Sequence, residues 1–125
     1  MADNRYVMRS TDQGSVEIAM DVIATIVGIA ALKVDGIGSI GGGITAANIE
    51  KQTAKALSKG IRISKNEDKI VVDIALNVKF GAEIMDVVPA AQEKVISTVE
   101  DMIGIAIDDV NIRIIGIEAP EEPQE

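Results

Sequence analysis

Glycines are the chemically most suggestive residues of this chain, because Gly36, Gly38 and Gly41 match the spacing G-x-G-x-x-G. In dinucleotide-binding proteins such glycines follow a strand and open a helix, and an acidic residue follows about 20 positions later. Here the glycines follow a predicted helix, and the distal position falls near Lys55 in another predicted helix. A P-loop is excluded too, because no Gly-Lys-Ser/Thr follows. We therefore interpret the glycines as a connector that permits positive φ angles and close backbone approach.

The segment Gly38–Gly41 also has the form G-x-x-G and lies between two predicted helices, as in the KH module that clamps nucleic-acid backbones. In that hypothesis the phosphates would be contacted by Lys51, Lys55, Lys59 and Arg62. The loop itself has no basic residue, and the formal net charge of −8 opposes bulk binding to nucleic acid. A KH-like nucleic-acid-binding module is therefore the alternative to the function favoured below.

Side chains that commonly perform catalysis or bind metals are scarce. The 125 residues include no His and no Cys, which excludes a serine–histidine triad, a thiol nucleophile and a thiolate metal site. The adjacent carboxylates Asp108-Asp109 and Glu67-Asp68 fall in predicted turns, where solvation explains them, and no spaced ligand motif accompanies them. We predict no catalytic, cofactor-binding or metal-binding residues, and expect a non-enzymatic protein.

Charge is distributed unevenly along the chain. From Lys51 to Lys79 there are seven basic and three acidic residues, whereas from Gly81 onwards there are eleven acidic and two basic residues. The basic region contrasts with an otherwise acidic chain, and such contrast favours recognition of a complementary partner. Its lysines recur four apart on one predicted helix, so the candidate interaction surface consists of Lys51, Lys55, Lys59 and Arg62.

The elements that must position these residues begin with a short strand at Val16–Ile18 and a very apolar helix from Met20 to about Lys33. The uncharged run within that helix has eleven residues, Val22 to Leu32, whereas a membrane span needs about 20. We therefore predict a buried helix and no membrane span. A short strand at Ile37–Ile40 and a helix from Thr45 to Leu57 follow.

The second half predicts a hairpin, a long helix and a final strand. Ile61–Ser64 and Ile70–Phe80 alternate apolar and polar residues around a polar turn. The helix starts near Met85 or Asp86, which places Pro89 in its first turn, and ends at Ile103. The last strand is Val110–Ile117.

We expect residues 14–117 to form a single α+β domain with two layers, in which helices cover one face of one mostly antiparallel sheet. Residues 1–13 are expected to be a flexible lead and residues 118–125 a disordered acidic tail. The lead does not resemble a secretory signal, so a cytoplasmic protein is expected.

The order of several short pieces resembles the alkaline shock protein family, the Gls-type envelope stress response proteins of Gram-positive bacteria. The matching pieces are Gly14–Ile18, Val22–Ala31, Val34–Gly38, Gly41-Gly42, Ser58–Ile63, Val78–Ile84 and Val110–Ile114. Together they span about four fifths of the chain. Pro89 departs from the family's usual residue inside the long helix.

The resemblance implies a small non-enzymatic cytoplasmic protein linked to the cell envelope and to stress. It implies association with the membrane through a separate membrane-anchored protein partner, and a tendency to form homo-oligomers. A link to fatty-acid supply is a further alternative that the resemblance implies. The family has no agreed catalytic, cofactor-binding or ligand-binding residues, so the resemblance assigns none here.

Overall fold

The computed structural model describes residues 6–66 and 69–119 as strands and helices of an α+β domain. In chain order the elements are β1 (Tyr6–Thr11), β2 (Gly14–Ala19), α1 (Met20–Leu32), β3 (Ile37–Ile40), a 3₁₀ turn (Ile49–Lys51), α2 (Ala54–Leu57), β4 (Ile61–Asn66), β5 (Lys69–Lys79), α3 (Ile84–Ile103) and β6 (Asp109–Glu118). The predicted fold class, an α+β domain with helices packed against a mostly antiparallel sheet, is confirmed.

The main sheet is built around β5, its longest strand. On one side of β5 lie β4, paired with its first half, and β3, paired with its second half, both antiparallel. On the other side lies β6, which runs parallel to β5 because α3 carries the chain back across the sheet. Two of the three pairings are therefore antiparallel, and β5 is the only described strand of this sheet with a neighbour on each side.

One face of this sheet is covered by α1 and α3. The alternation of β5 sends its buried residues into the same core cluster as the apolar stripes of both helices, and these residues are Ile70, Val72, Ile74, Leu76 and Val78. The intervening residues of β5 lie on the opposite side, which we call the outer face. Because aromatic side chains are nearly absent from the sequence, the core is aliphatic throughout, as its composition predicts.

A separate two-stranded sheet corrects the predicted N-terminal lead. Residues 6–11 form β1, which pairs antiparallel with β2, so β2 does not join the main sheet. The hairpin is attached through Val7, which is buried, and through the direct continuation of β2 into α1. Most of its other side chains are exposed. Because burial produces the alternation of apolar residues that marks a strand, this exposed strand left little signal in the sequence.

The predicted helix from Thr45 to Leu57 is wrong, since the chain forms a 3₁₀ turn and then α2, separated by extended residues. The cause is competition from side chains that bind backbone groups. The Asn48 side chain accepts a hydrogen bond from the Thr45 N–H (2.9 Å) and donates one to the Gly43 carbonyl (2.9 Å). Thr53 caps α2 by accepting from the Ala56 N–H (3.1 Å).

The ends of α3 and β6 differ slightly from expectation. The helix begins at Ile84, so Pro89 is its sixth residue and lies beyond the first turn. Because proline has no N–H, the carbonyl of Met85 lacks the usual hydrogen bond within the helix. Gly104 ends the helix with a φ of 77°. The last strand includes Glu118, which was expected in the disordered tail. The predicted turn residues Glu67 and Asp68, and the tail from residue 120, lie outside the described residues.

Asp108 connects β6 to the start of β5. Its carboxylate accepts a hydrogen bond from the Ile70 N–H (2.8 Å), and its own N–H donates to the Ile70 carbonyl (2.9 Å). This carboxylate therefore has a structural contact in addition to its solvation.

We expect Asp108→Ala to lower the free energy of unfolding by about 1 kcal/mol, because the Ile70 N–H loses a charged acceptor. Urea denaturation followed by circular dichroism measures this loss.

The matched variant is Asp108→Asn, which keeps an acceptor oxygen in place. We expect Asp108→Asn to lose less than half as much stability as Asp108→Ala. An Ala variant as stable as the unmodified chain would show that water replaces the carboxylate without cost.

Candidate interaction surface

The glycine motif belongs to a strand and its flanking turns rather than to a ligand-binding loop. Gly38 lies within β3. No helix begins directly after Gly41, which lies in a tight turn closed by the bridge between Ile40 and Ile44. The segment Gly38–Gly41 is therefore not an exposed loop between two helices, and the geometry of a KH module is absent from this part of the described chain. The space beside Gly38 is occupied by the carboxylate of Glu118, which accepts a hydrogen bond from the Ser39 hydroxyl (2.5 Å).

The glycine-rich segment has the positive φ angles and the close backbone approach that the sequence predicts, although Gly38 itself lies in β3. Gly36, Gly42 and Gly43 have φ angles of 98°, 84° and 77°. The Gly41 N–H donates to the Ala75 carbonyl, and the Ala75 N–H donates to the Gly60 carbonyl, both at 2.8 Å. The ends of β3 and β4 thus meet beside the middle of β5. A Cβ atom on Gly60 would overlap the Gly41 carbonyl oxygen, so this junction requires glycine.

The four basic residues of the candidate surface are all exposed, but the structure does not arrange them as one helix face. Lys51 ends the 3₁₀ turn, whereas Lys55 lies in α2 beyond the break at Gln52 and Thr53. Lys59 and Arg62 lie on either side of the Gly60 junction and line one groove together, whereas Lys51 and Lys55 do not line it.

That groove runs across the outer face of the sheet and has a volume of about 570 Å³. Strand register places Arg62, Asp73 and Asn111 in one row across β4, β5 and β6, and the Asn111 side-chain amide donates to the Asp73 carboxylate (3.1 Å). In the next row, Arg113 is opposite Ala75. We call the groove lined by Lys59, Arg62, Asp73, Asn111 and Arg113 the basic groove.

The sequence analysis missed Arg113. In the sequence it is an isolated basic residue in an acidic region, at a polar position of an alternating strand. Only the parallel pairing of β6 with β5 brings it beside residues that lie some fifty positions earlier in the chain. Three cations and one carboxylate then share this groove, so its electrostatic character favours the acidic side chains of a partner.

A second groove, of about 460 Å³, lies on the other side of Arg62, between the β1–β2 hairpin, the start of α1, and α2. Its walls are largely apolar and include Ala24, Leu57 and Ile63.

No group of carboxylates among the described residues is arranged to hold a metal ion. Within residues 6–66 and 69–119, no helix has both the length and the apolar character that crossing a membrane requires.

Comparisons with known proteins agree on one family. The model of the alkaline shock protein 23 family, which is described as having a cell envelope-related function, matches residues 8–119. The chain is 35% identical to the uncharacterized protein YqhY of Bacillus subtilis over 115 residues, which cover 92% of this chain and 85% of that protein. It is 32% identical to YloU of the same organism, with 86% of this chain and 91% of that protein covered. It is 31% identical to Spy1535 of Streptococcus pyogenes, with 89% and 84% covered. No solved structure matches the chain significantly.

Proposed function

This chain belongs to the alkaline shock protein 23 family, whose function is related to the cell envelope, and we propose that it is a non-enzymatic cytoplasmic protein that docks on a membrane-anchored protein partner. The family match over residues 8–119 carries the proposal, because it covers nearly the whole described domain. It also confirms the resemblance to alkaline shock proteins. In this proposal a membrane-anchored partner holds the chain at the envelope, which requires no membrane-crossing helix of the chain itself.

The basic groove is the surface through which we propose that the chain binds this partner. Lys59, Arg62 and Arg113 supply positive charge in a concave site, where partly shielded charges interact more strongly than on an open surface. We include in the proposed surface the exposed Lys51 and Lys55, which lie outside the groove in the 3₁₀ turn and in α2. The partner would therefore present an acidic segment to the outer face of the sheet.

Charge reversal tests this proposal. The variant K51E/K55E/K59E/R62E should reduce crosslinked capture of the membrane-protein partner from the membrane fraction of the protein's own cells by about tenfold, because attraction becomes repulsion. Quantitative mass spectrometry of the captured proteins measures the change.

A matched control carries the same number of reversals at exposed basic positions elsewhere, as K33E/K65E/K69E/K94E. This control should retain most of the capture, and circular dichroism should show that both variants fold. Equal losses in the two variants would mean that net charge alone governs binding. If the unmodified chain captures no membrane protein, the proposed function is wrong.

A further inference from the structure

Four large apolar side chains lie exposed at one corner of the domain, where β5 and β6 end and α3 begins. Phe80 is 70% exposed, Met85 80%, Ile117 60% and Ile84 36%. The Phe80 N–H donates to the Glu118 carbonyl (2.8 Å), so Phe80 lies beside the end of β6, and α3 begins only four residues later. We call these four residues the apolar corner.

The core does not need these side chains. Val78 is buried and ends the row of core residues along β5, whereas its register partner in β6, Ile117, is exposed. The sequence contains a single Phe, and the fold places it in solvent rather than in the core. Clustered exposed apolar residues mark interaction sites, and aromatic residues and Met are the types enriched in interface centres.

The charges around the corner specify what it fits. Glu83 and Asp86 are exposed at the start of α3, and residues 80–93 contain no Lys or Arg. Lys79, which directly precedes Phe80, is exposed at an outward position of β5 and therefore lies on the other side of the sheet. Carboxylates beside an apolar patch repel the anionic surface of a lipid membrane and attract Lys and Arg side chains. The corner therefore differs from the basic groove in both the charge and the apolar character that it requires of a partner.

We propose that the apolar corner is a second docking surface, which binds a protein segment that has one or two large apolar side chains flanked by Lys or Arg. The apolar side chains cover Phe80, Met85 and Ile117, and the basic residues pair with Glu83 and Asp86. This surface lies on the helix-covered side of the sheet, whereas the basic groove lies on its outer face. The two surfaces can therefore be occupied at once, and their tests are independent.

The first step of the test identifies the segment that contacts the corner. A photo-crosslinking amino acid replaces Met85 in the full chain in its own cells, and a control chain carries it at Met102, which is 66% exposed near the other end of the same helix. We expect a crosslinked peptide that is specific to position 85 and combines large apolar residues with Lys or Arg. An acidic peptide, a peptide of a second copy of this chain, or no specific peptide overturns the proposal.

The second step measures the affinity of that peptide, made synthetically, for the purified chain. Met85→Asp and the charge reversal E83K/D86K should each weaken binding by about tenfold or more, because one inserts a charge into the contact and the other repels the basic residues. Met102→Asp should change the affinity by less than about twofold. Equal effects of Met85→Asp and Met102→Asp overturn the proposal, since net charge would then explain both.

Because the apolar corner is intact in K51E/K55E/K59E/R62E, that variant should still bind the peptide. Loss of partner capture by that variant, together with unchanged peptide binding, would support both proposals separately. If the peptide binds neither K51E/K55E/K59E/R62E nor the variants of the apolar corner, the chain has one extended surface. That result would overturn the assignment of a second docking surface.

Discussion

Replacing Gly60 by Ala should lower the free energy of unfolding by about 2–3 kcal/mol, a large effect for one methyl group. The added Cβ would overlap the carbonyl oxygen of Gly41 and lie 2.5 Å from the Cγ2 atom of Ile40. The backbone oxygen cannot rotate away as a side chain can, so the ends of β3 and β4 must separate. That separation strains the hydrogen bonds through which Gly41 and Gly60 both bind Ala75. Urea denaturation monitored by circular dichroism gives the change.

Gly43→Ala is the matched control for this prediction. Gly43 has a φ of 77°, but nothing lies within 4 Å of the position that a Cβ would occupy. The control therefore measures only the strain of a left-handed conformation, about 1 kcal/mol. If Gly60→Ala were no more destabilising than Gly43→Ala, β3 and β4 would be able to move apart at little cost in free energy, which would contradict this prediction.

The junction also supports the basic groove, so a second readout is available. Gly60 lies between Lys59 and Arg62 and lines the groove with them. If Gly60→Ala still folds at low temperature, it should bind the partner less well while retaining binding of the peptide that recognises the apolar corner. Loss of binding to both the partner and the peptide would instead indicate global unfolding.

Leu76→Ala should cost about 3–4 kcal/mol of unfolding free energy, the largest loss that we expect from a single truncation in this chain. Leu76 is fully buried on the central strand, in register with Ile40 of β3 on one side and with Ile114 of β6 on the other. Removing its three outer carbons leaves a cavity in the core beneath the sheet, and the backbone of β5 cannot shift to fill it because strands hold it on both sides. The total stability of small domains is about 5–15 kcal/mol, so the variant should melt at a much lower temperature.

Met102→Ala provides the comparison for that truncation, because Met102 is exposed on α3. Its unfolding free energy should lie within about 0.5 kcal/mol of the unmodified value. Calorimetry of Leu76→Ala and Met102→Ala measures both changes in unfolding free energy. A loss for Leu76→Ala no greater than that for Met102→Ala would contradict the central place of β5 in the core.

Several features of the fold follow from local patterns in the sequence. The alternation from Ile70 to Val78 predicts a strand with one buried face, and the structure has β5 there. The apolar run that begins near Met20 is too short for a membrane, and the structure has α1 within the core. Both predictions succeeded because the pattern is created by burial of a single continuous segment. The family resemblance succeeded for a related reason, since it depends on the order of short pieces along the chain.

Other features depended on contacts that these patterns do not encode. The predicted helix from Thr45 to Leu57 failed because Asn48 and Thr53 bind backbone groups, a choice that helix periodicity does not register. The strand β1 was missed because only Val7 among its residues is buried. The inclusion of Gly38 in β3 depends on the pairing of β3 with β5, about forty residues away in the chain.

By itself, the sequence determined that this protein has an aliphatic α+β core, has no His or Cys with which to do chemistry, and resembles the family to which it belongs. These properties are composition, short-range periodicity and the order of segments, all of which are readable along one dimension. Only the tertiary structure decided that Lys59 and Arg62 share a groove with Arg113, and that Phe80 and Ile117 are exposed at one corner. The reason is physical: β5 pairs with β3 and β6, which are distant from it in the chain, and strand register, rather than proximity in the sequence, determines which of their side chains become neighbours.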